Sequence, residues 1–155
     1  MRKLLGLAAI IAFMAGSCGG GKQQTSSESL KSYEFSINAI GNSMSDMAFD
    51  TKELKVQAGA GVTINLVNKG TDGAMLHNIV IVKPGREKDV AMEGLNLKDQ
   101  NYFNASNPDV IAGSAIADPG ATVSLVFKAP EAGTYTYICT YPGHWMHMQG
   151  VLIVE

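Results

Sequence analysis

Apolar and polar residues alternate along most of this chain with a period of two, the period of a strand with one buried face. Tyr33 to Ile40 alternates cleanly and predicts a first strand. Phe49 to Val56 holds a second, with Phe49, Leu54 and Val56 as core positions. Val62 to Asn68 alternates and stops at Lys69-Gly70, a turn signal. Leu76 to Val82 is nearly continuous apolar sequence, interrupted by His77-Asn78 and closed by Pro84-Gly85. Thr122 to Phe127, Thr134 to Ile138 and Gly150 to Val154 complete the set. Short, regularly spaced strands with glycine and proline between them predict an all-β Greek-key sandwich of about eight strands. Residues 86–108 break the pattern. Val90 to Leu95 has a helical rhythm weakened by Gly94, so the segment reads as a short helical excursion outside the sandwich.

The first residues follow a different grammar. Arg2 and Lys3 precede an apolar run, Leu4 to Met14, and three small residues, Ala15-Gly16-Ser17, precede Cys18. That order is a secretory signal, and its apolar run falls short of the ~20 residues that span a bilayer. With a cysteine directly after the small residues, it resembles a bacterial lipoprotein signal. The resemblance implies cleavage of residues 1–17 and a lipid on Cys18, although Ala15 stands where a large aliphatic residue is usual. Residues 18–32 hold glycine, serine and glutamine and read as a flexible tether. Residues 33–155 then form one domain. The expectation is an exported protein, lipid-anchored to a bacterial membrane and facing the periplasm.

Charge says little about partners. Without Arg2 and Lys3 the chain has 10 basic against 14 acidic residues, and no basic patch points to nucleic acid. The cysteine count matters more. There are two cysteines, and with Cys18 assigned to lipid, Cys139 has no disulfide partner. A lone thiol outside the cytoplasm tends to oxidise unless something employs it.

The run Cys139-Thr140-Tyr141-Pro142-Gly143-His144-Trp145-Met146-His147-Met148 offers an employment. Cys139 ends a strand, Pro142-Gly143 turns the chain, and His144 and Met148 return on the far side. A thiolate, an imidazole and a thioether then face one point from one loop, spaced C-x4-H-x3-M. His77, in the apolar stretch upstream, supplies a second imidazole from across the sandwich. Two imidazoles and a thiolate with a weak axial thioether are the ligands of a mononuclear blue copper centre. Structural zinc wants four firm nitrogen or sulfur ligands, which one cysteine and a methionine do not provide. A cysteine nucleophile with a histidine base leaves Met148 and the rigid turn unexplained. The chain has three histidines, all in these two segments, so none remains for a second metal site or an oxidase centre. Met146 is a competing thioether two residues after His144. Met47, Met75, Trp145 and Met146 are candidates for an apolar electron-transfer rim around the edge of His144, with plain core packing as the alternative. His147 is either simply solvated or a titrating neighbour of the site.

At these residues the chain resembles the cupredoxins, in particular their azurin and auracyanin branch. The resemblance rests on Met75-Leu76-His77-Asn78 and on Cys139 to His144 with Met148 and Gly150. It implies one copper ion held by His77, Cys139, His144 and axial Met148. It implies a weak second axial contact from the backbone carbonyl of Leu76, where azurins usually have glycine, and a supporting role for Asn78, whose hydrogen bonds tie the two ligand segments together. It implies no enzymatic activity and no small-molecule substrate, but one-electron traffic as a monomer with a c-type cytochrome or a membrane-bound redox complex. A periplasmic copper carrier or buffer, which hands over the metal itself, is the alternative. The chain departs from azurins in lacking their N-terminal disulfide and in having Trp145 and His147 on the loop.

Overall fold

The computed structural model describes residues 31–155. The signal at 1–17, lipid attachment at Cys18 and nearly all of the tether 18–32 lie outside the described residues. Among the described residues, nine strands form two sheets. The first holds β1 (Ser32–Ile40), β2 (Ala48–Phe49), β4 (Gly61–Asn68) and β7 (Thr122–Lys128) in the order β2-β1-β4-β7. The second holds β3 (Glu53–Val56), β5 (Val80–Val82), β6 (Val110–Gly113), β8 (Gly133–Ile138) and β9 (Gln149–Val154) in the order β3-β9-β8-β5-β6. β1 pairs with β4, and β3 with β9, in parallel; the other pairs are antiparallel.

Alternation does the sorting. On β4, Val62, Ile64, Leu66 and Asn68 are buried, and on β9, Leu152 and Val154 are. They meet Ile37, Ala39, Phe49, Leu54, Val56 and Leu125 in one core between the sheets. Burying each large aliphatic side chain stabilises the fold by about 1.5–3 kcal/mol. No helix among the described residues is long and apolar enough to cross a membrane.

Three expectations change. The stretch from Phe49 to Val56 is two strands in different sheets, parted at Asp50–Lys52. β6 was not anticipated. The strand expected over Leu76 to Val82 pairs regularly only from Val80, because its first part leaves the ladder to build the site described below.

The excursion is the second departure from a simple sandwich. α1 (Glu87–Gly94), followed by a 3-10 turn (Lys98–Gln100), lies against the outer face of the second sheet. Val90, Ala91 and Phe103 pack there on Val80, Val82 and Ile138, with Val110 and Trp145 at the margin. Ile79 and Ile81 face the main core, while Val80 and Val82 face this second one. Burial on both faces explains why this stretch reads as an unbroken apolar run rather than an alternation.

Gly150, part of the motif, has a packing reason. A side chain there would overlap the ring of Tyr137, which is fully buried and donates from its hydroxyl to the Thr51 carbonyl at 2.7 Å. Gly150→Ala is expected to cost about 2–3 kcal/mol, as overpacked cores do. A urea melt checks this; a midpoint equal to the parent's would show that the ring has room to move.

Candidate metal centre

Cys139 directly follows β8 and Met148 directly precedes β9, so one strand pair holds both ends of the loop. The Cys139 N–H donates to the Met148 carbonyl at 3.0 Å, extending that pairing by one step. Within the loop, the His144 N–H donates to the Tyr141 carbonyl, and the His147 and Met148 N–H groups both reach the His144 carbonyl, each at 3.0 Å. Gly143 turns the chain at φ +85°, a conformation side chains rarely adopt, and a Cβ there would press on Met44. The sequence Pro142-Gly143 therefore makes a loop whose shape is set by its own backbone.

His77 arrives from the other segment. Its backbone exchanges two hydrogen bonds with Ala117, at 3.2 and 2.7 Å, outside any regular strand. The result is a cluster of three donor atoms. The Nδ1 atoms of His77 and His144 are 3.2 Å apart, and the Cys139 Sγ lies 3.7 Å from the Nδ1 of His144 and 3.9 Å from that of His77. The point equidistant from all three is about 2.1 Å from each, within the ~2.0–2.3 Å of metal–nitrogen and metal–sulfur bonds. The residues present thus fit one metal ion, which His77, Cys139 and His144 would hold. Cys139, His77 and Met148 are 0% exposed and His144 is 1% exposed.

Burial also sets the proton chemistry of the metal-free site. Desolvation pushes the Cys139 thiol up to about 12, opposed by the backbone N–H groups of Asn78 and Tyr141 directed at the sulfur. Metal binding must therefore release that proton. Desolvation, with a smaller contribution from His144, lowers His77 to about 4. Desolvation, with a smaller contribution from His147, lowers His144 to about 4. Both imidazoles are thus neutral ligands at neutral pH. In the unfolded chain they titrate near 6.5, so between about 6.5 and 4 the unfolded state binds more protons than the folded one. The metal-free protein is expected to lose stability as pH falls through that window, the loss from these two groups being complete below about 4. Urea midpoints measured from pH 7.5 to 4 test this, and a flat profile would contradict it.

Buried carboxamides hold the two ligand segments together. The Asn78 side chain accepts from the Thr140 N–H at 2.8 Å and donates to the Thr140 hydroxyl at 2.8 Å and the Asn101 carbonyl at 2.7 Å. It therefore joins the His77 segment to the residue after Cys139 and to the excursion. Asn68 was not anticipated. Its side chain donates to the Met75 carbonyl at 2.7 Å and the Ala117 carbonyl at 2.9 Å, and accepts from the Gly70 N–H at 2.9 Å. It fixes both strands of the His77 bridge. Asn68 continues the inward series Val62, Ile64, Leu66, and a polar residue at an inward position must find partners. That signal was available in the alternation.

The other candidates are placed as follows. Leu76 is half-buried, its N–H donating to the Ala74 carbonyl at 3.0 Å. Of the four residues expected at an apolar rim, Met47 and Met75 are buried, the former in the main core. Trp145 is half-buried against the second core, and Met146 is exposed. Met44, which the sequence did not single out, is exposed beside Gly143. His147 is exposed. His144 is 1% exposed, and the Tyr141 ring stands 4.8 Å from it, centre to centre.

A β-sandwich that buries two imidazoles, one cysteine and one methionine around room for a single ion is a mononuclear blue copper protein of the cupredoxin class. The chain belongs to the plastocyanin/azurin family of copper binding proteins, whose family model matches residues 36–155. It is 37% identical over 156 residues to auracyanin-A of Chloroflexus aurantiacus, covering 98% of this chain and 95% of that protein. It is 35% identical over 113 residues to an azurin of Alcaligenes faecalis, covering 68% of this chain and 88% of that protein. Among solved structures, auracyanin A, described as a blue copper protein of a green thermophilic photosynthetic bacterium, matches with a TM-score of 0.71 at 39% identity. That match covers 80% of this chain and 99% of the other. His77, Cys139, His144 and Met148 form the single copper site of this family member.

Proposed function

We propose that this protein carries single electrons while held at a bacterial membrane by a lipid on Cys18. In this reading it is an exported, periplasm-facing monomer that serves a c-type cytochrome or a membrane-bound complex of a respiratory or photosynthetic chain. Electron transfer is the role of the family, and one observation carries the reading here. All four ligands are buried, and hydrogen bonds among protein groups already hold the histidine and cysteine donors in place. Bound copper supplies a one-electron couple, Cu(II)/Cu(I). The chain's own part is to keep the donor triangle at one size in both states. Asn78 and Asn68 restrain the segments, Gly143 fixes the turn, and the apolar core keeps water out. Such an arrangement suits electron carriage better than chemistry on a bound substrate. The same burial favours keeping the metal over handing it on, because exchange would require the loop to open.

The test is a titration. The purified protein loaded with one equivalent of Cu(II) is expected to turn blue, bleach with one electron equivalent and recover its colour on reoxidation. It should retain its metal through repeated cycles against a Cu(I) chelator. Loss of the metal on the first reduction would favour the copper carrier instead. Intact mass tests the anchor: a lipid on Cys18 adds acyl mass to a chain beginning there, and Cys18→Ser should release the protein from membranes.

A further inference from the structure

We infer that Asn101, at the end of the 3-10 turn in the excursion, is a positioning residue of the copper site, locking the His77 segment and the cysteine loop to one another from outside both. This role rests on the copper site alone and is independent of the electron-carrier reading.

Asn101 uses both of its oxygens. Its carbonyl accepts from the Asn78 side chain at 2.7 Å, and its side-chain oxygen accepts from the Ile116 N–H at 3.2 Å. Each partner adjoins a ligand contact. Asn78 follows His77 and also bonds Thr140, the residue after Cys139. Ile116 precedes Ala117, whose backbone exchanges two hydrogen bonds with His77. That bridge is isolated, so no continuous ladder keeps it in place. Bonds from the sides do so instead: Asn68 supplies them at Met75 and Ala117, and Asn101 at Asn78 and Ile116.

Tyr102 adds a third connection. Its ring meets that of Tyr141 edge-to-face at 5.1 Å and 72°. Tyr141 lies two residues after Cys139, and its backbone N–H is directed at the Cys139 sulfur. Two consecutive residues of the excursion thus reach the His77 segment, the backbone paired with it and the loop of Cys139.

The backbone supplies an independent observation. Among the described residues, Asn101 and Tyr102 are the non-glycine residues with positive φ, at 58° and 62°. Asn101 alone would be an ordinary helix end, since asparagine tolerates that conformation and its N–H closes on the Lys98 carbonyl. A tyrosine in the same conformation directly after it is strained. Such strain persists where the surroundings over-determine it. Here the Tyr102 N–H donates to the Leu97 carbonyl at 2.9 Å, and Gly94 admits the Tyr102 carbonyl, since a Cβ at Gly94 would overlap it. A segment that only covered the second core could leave its 3-10 turn in relaxed backbone. The double left-handed turn aims Asn101 at Asn78 and Ile116 and sets the next ring on Tyr141.

Asn101→Gly tests this. Glycine adopts the same φ freely and keeps the carbonyl, so the acceptor for Ile116 is what is lost. Affinity of the folded protein for Cu(I), measured by chelator competition, should fall about tenfold, the lower end of what losing a hydrogen bond behind a ligand costs. Asn101→Asp restores an acceptor and should recover most of that loss. A packing role would lower the urea midpoint and leave the affinity unchanged. Linkage gives a second reading that needs no variant: if Asn101 favours copper, copper favours the Asn101 bond by the same factor. Amide exchange at Ile116, followed by NMR in the parent, should therefore slow about tenfold on Cu(I) loading, beyond any change shared by the amides of β4. Parent-like affinity in Asn101→Gly, an Asn101→Asp protein as weak as Asn101→Gly, or an Ile116 amide indifferent to copper overturns the inference. If Asn101→Gly does not fold, the exchange measurement decides alone. A parent that binds no copper overturns the copper site itself, whereas one that binds copper but fails to cycle overturns only the electron-carrier reading.

Discussion

Cys139→Ser is expected to leave the protein folded and colourless. The blue absorption of such a centre comes from charge transfer between a thiolate and Cu(II), and Cys139 is the one sulfur in the donor triangle. A serine hydroxyl does not ionise in a fully buried, apolar position, so the vertex it occupies ceases to be an anionic ligand. The two Nδ1 atoms, 3.2 Å apart, remain and can still hold Cu(II) weakly. Retention of Cu(I) should fall by more than the roughly 10–100-fold that losing a supporting hydrogen bond costs, because a soft ligand itself is gone. Absorption spectra of the loaded variant and competition with a Cu(I) chelator give both readings. A blue Cys139→Ser protein would overturn the assignment of the ligands. A circular dichroism spectrum like the parent's shows that the loss is chemical and not structural.

The second large effect is expected at Asn78. Replacing it with leucine keeps the branched shape but strands the Thr140 N–H, the Thr140 hydroxyl and the Asn101 carbonyl, which Asn78 satisfies at 2.7 to 2.8 Å. Thr140 is buried, so each lost partner carries a desolvation penalty of about 1–3 kcal/mol. Water entering at the half-buried Asn101 reduces the total, leaving an expected loss of roughly 3–5 kcal/mol. Copper affinity should drop about 10–100-fold as well, because the two ligand segments lose their common brace. Urea melts of the metal-free variant separate the first effect from the second, which chelator competition measures. Loss of affinity without loss of stability would mean that Asn78 acts only on the metal. A variant within 1 kcal/mol of the parent would mean that backbone pairing alone holds the segments.

The features legible without coordinates share one property: each is local in sequence. The alternation on β4 and β9 is read within eight residues, and burial follows it position by position. The cysteine loop is read within ten, and its donors converge because Pro142-Gly143 can turn only one way. His77 is a long-range ligand, yet it was found because only three histidines compete for the role. The unread features are those in which one segment alters another. The ladder around His77 is interrupted because Ala117 holds its backbone and Asn68 in turn holds the carbonyls of Met75 and Ala117, and no property of residues 76–79 announces that. The excursion was recognised as helical, but its packing onto β5 was not, since its small apolar set gains meaning only against Val80 and Val82.

By itself, then, the sequence determined the class of protein. The strand period, the spacing of Cys139, His144 and Met148, and the scarcity of histidines and cysteines leave one metal and one ligand set. The tertiary structure decided how that site meets the outside. Met47 and Met75 went into the interior and Trp145 onto the second core. The physical reason is that ligand identity follows from the chemistry of a few side chains close in the chain. Exposure is a property of everything that packs around them, and here the Tyr141 ring beside His144 packs in turn on Tyr102 from a different segment.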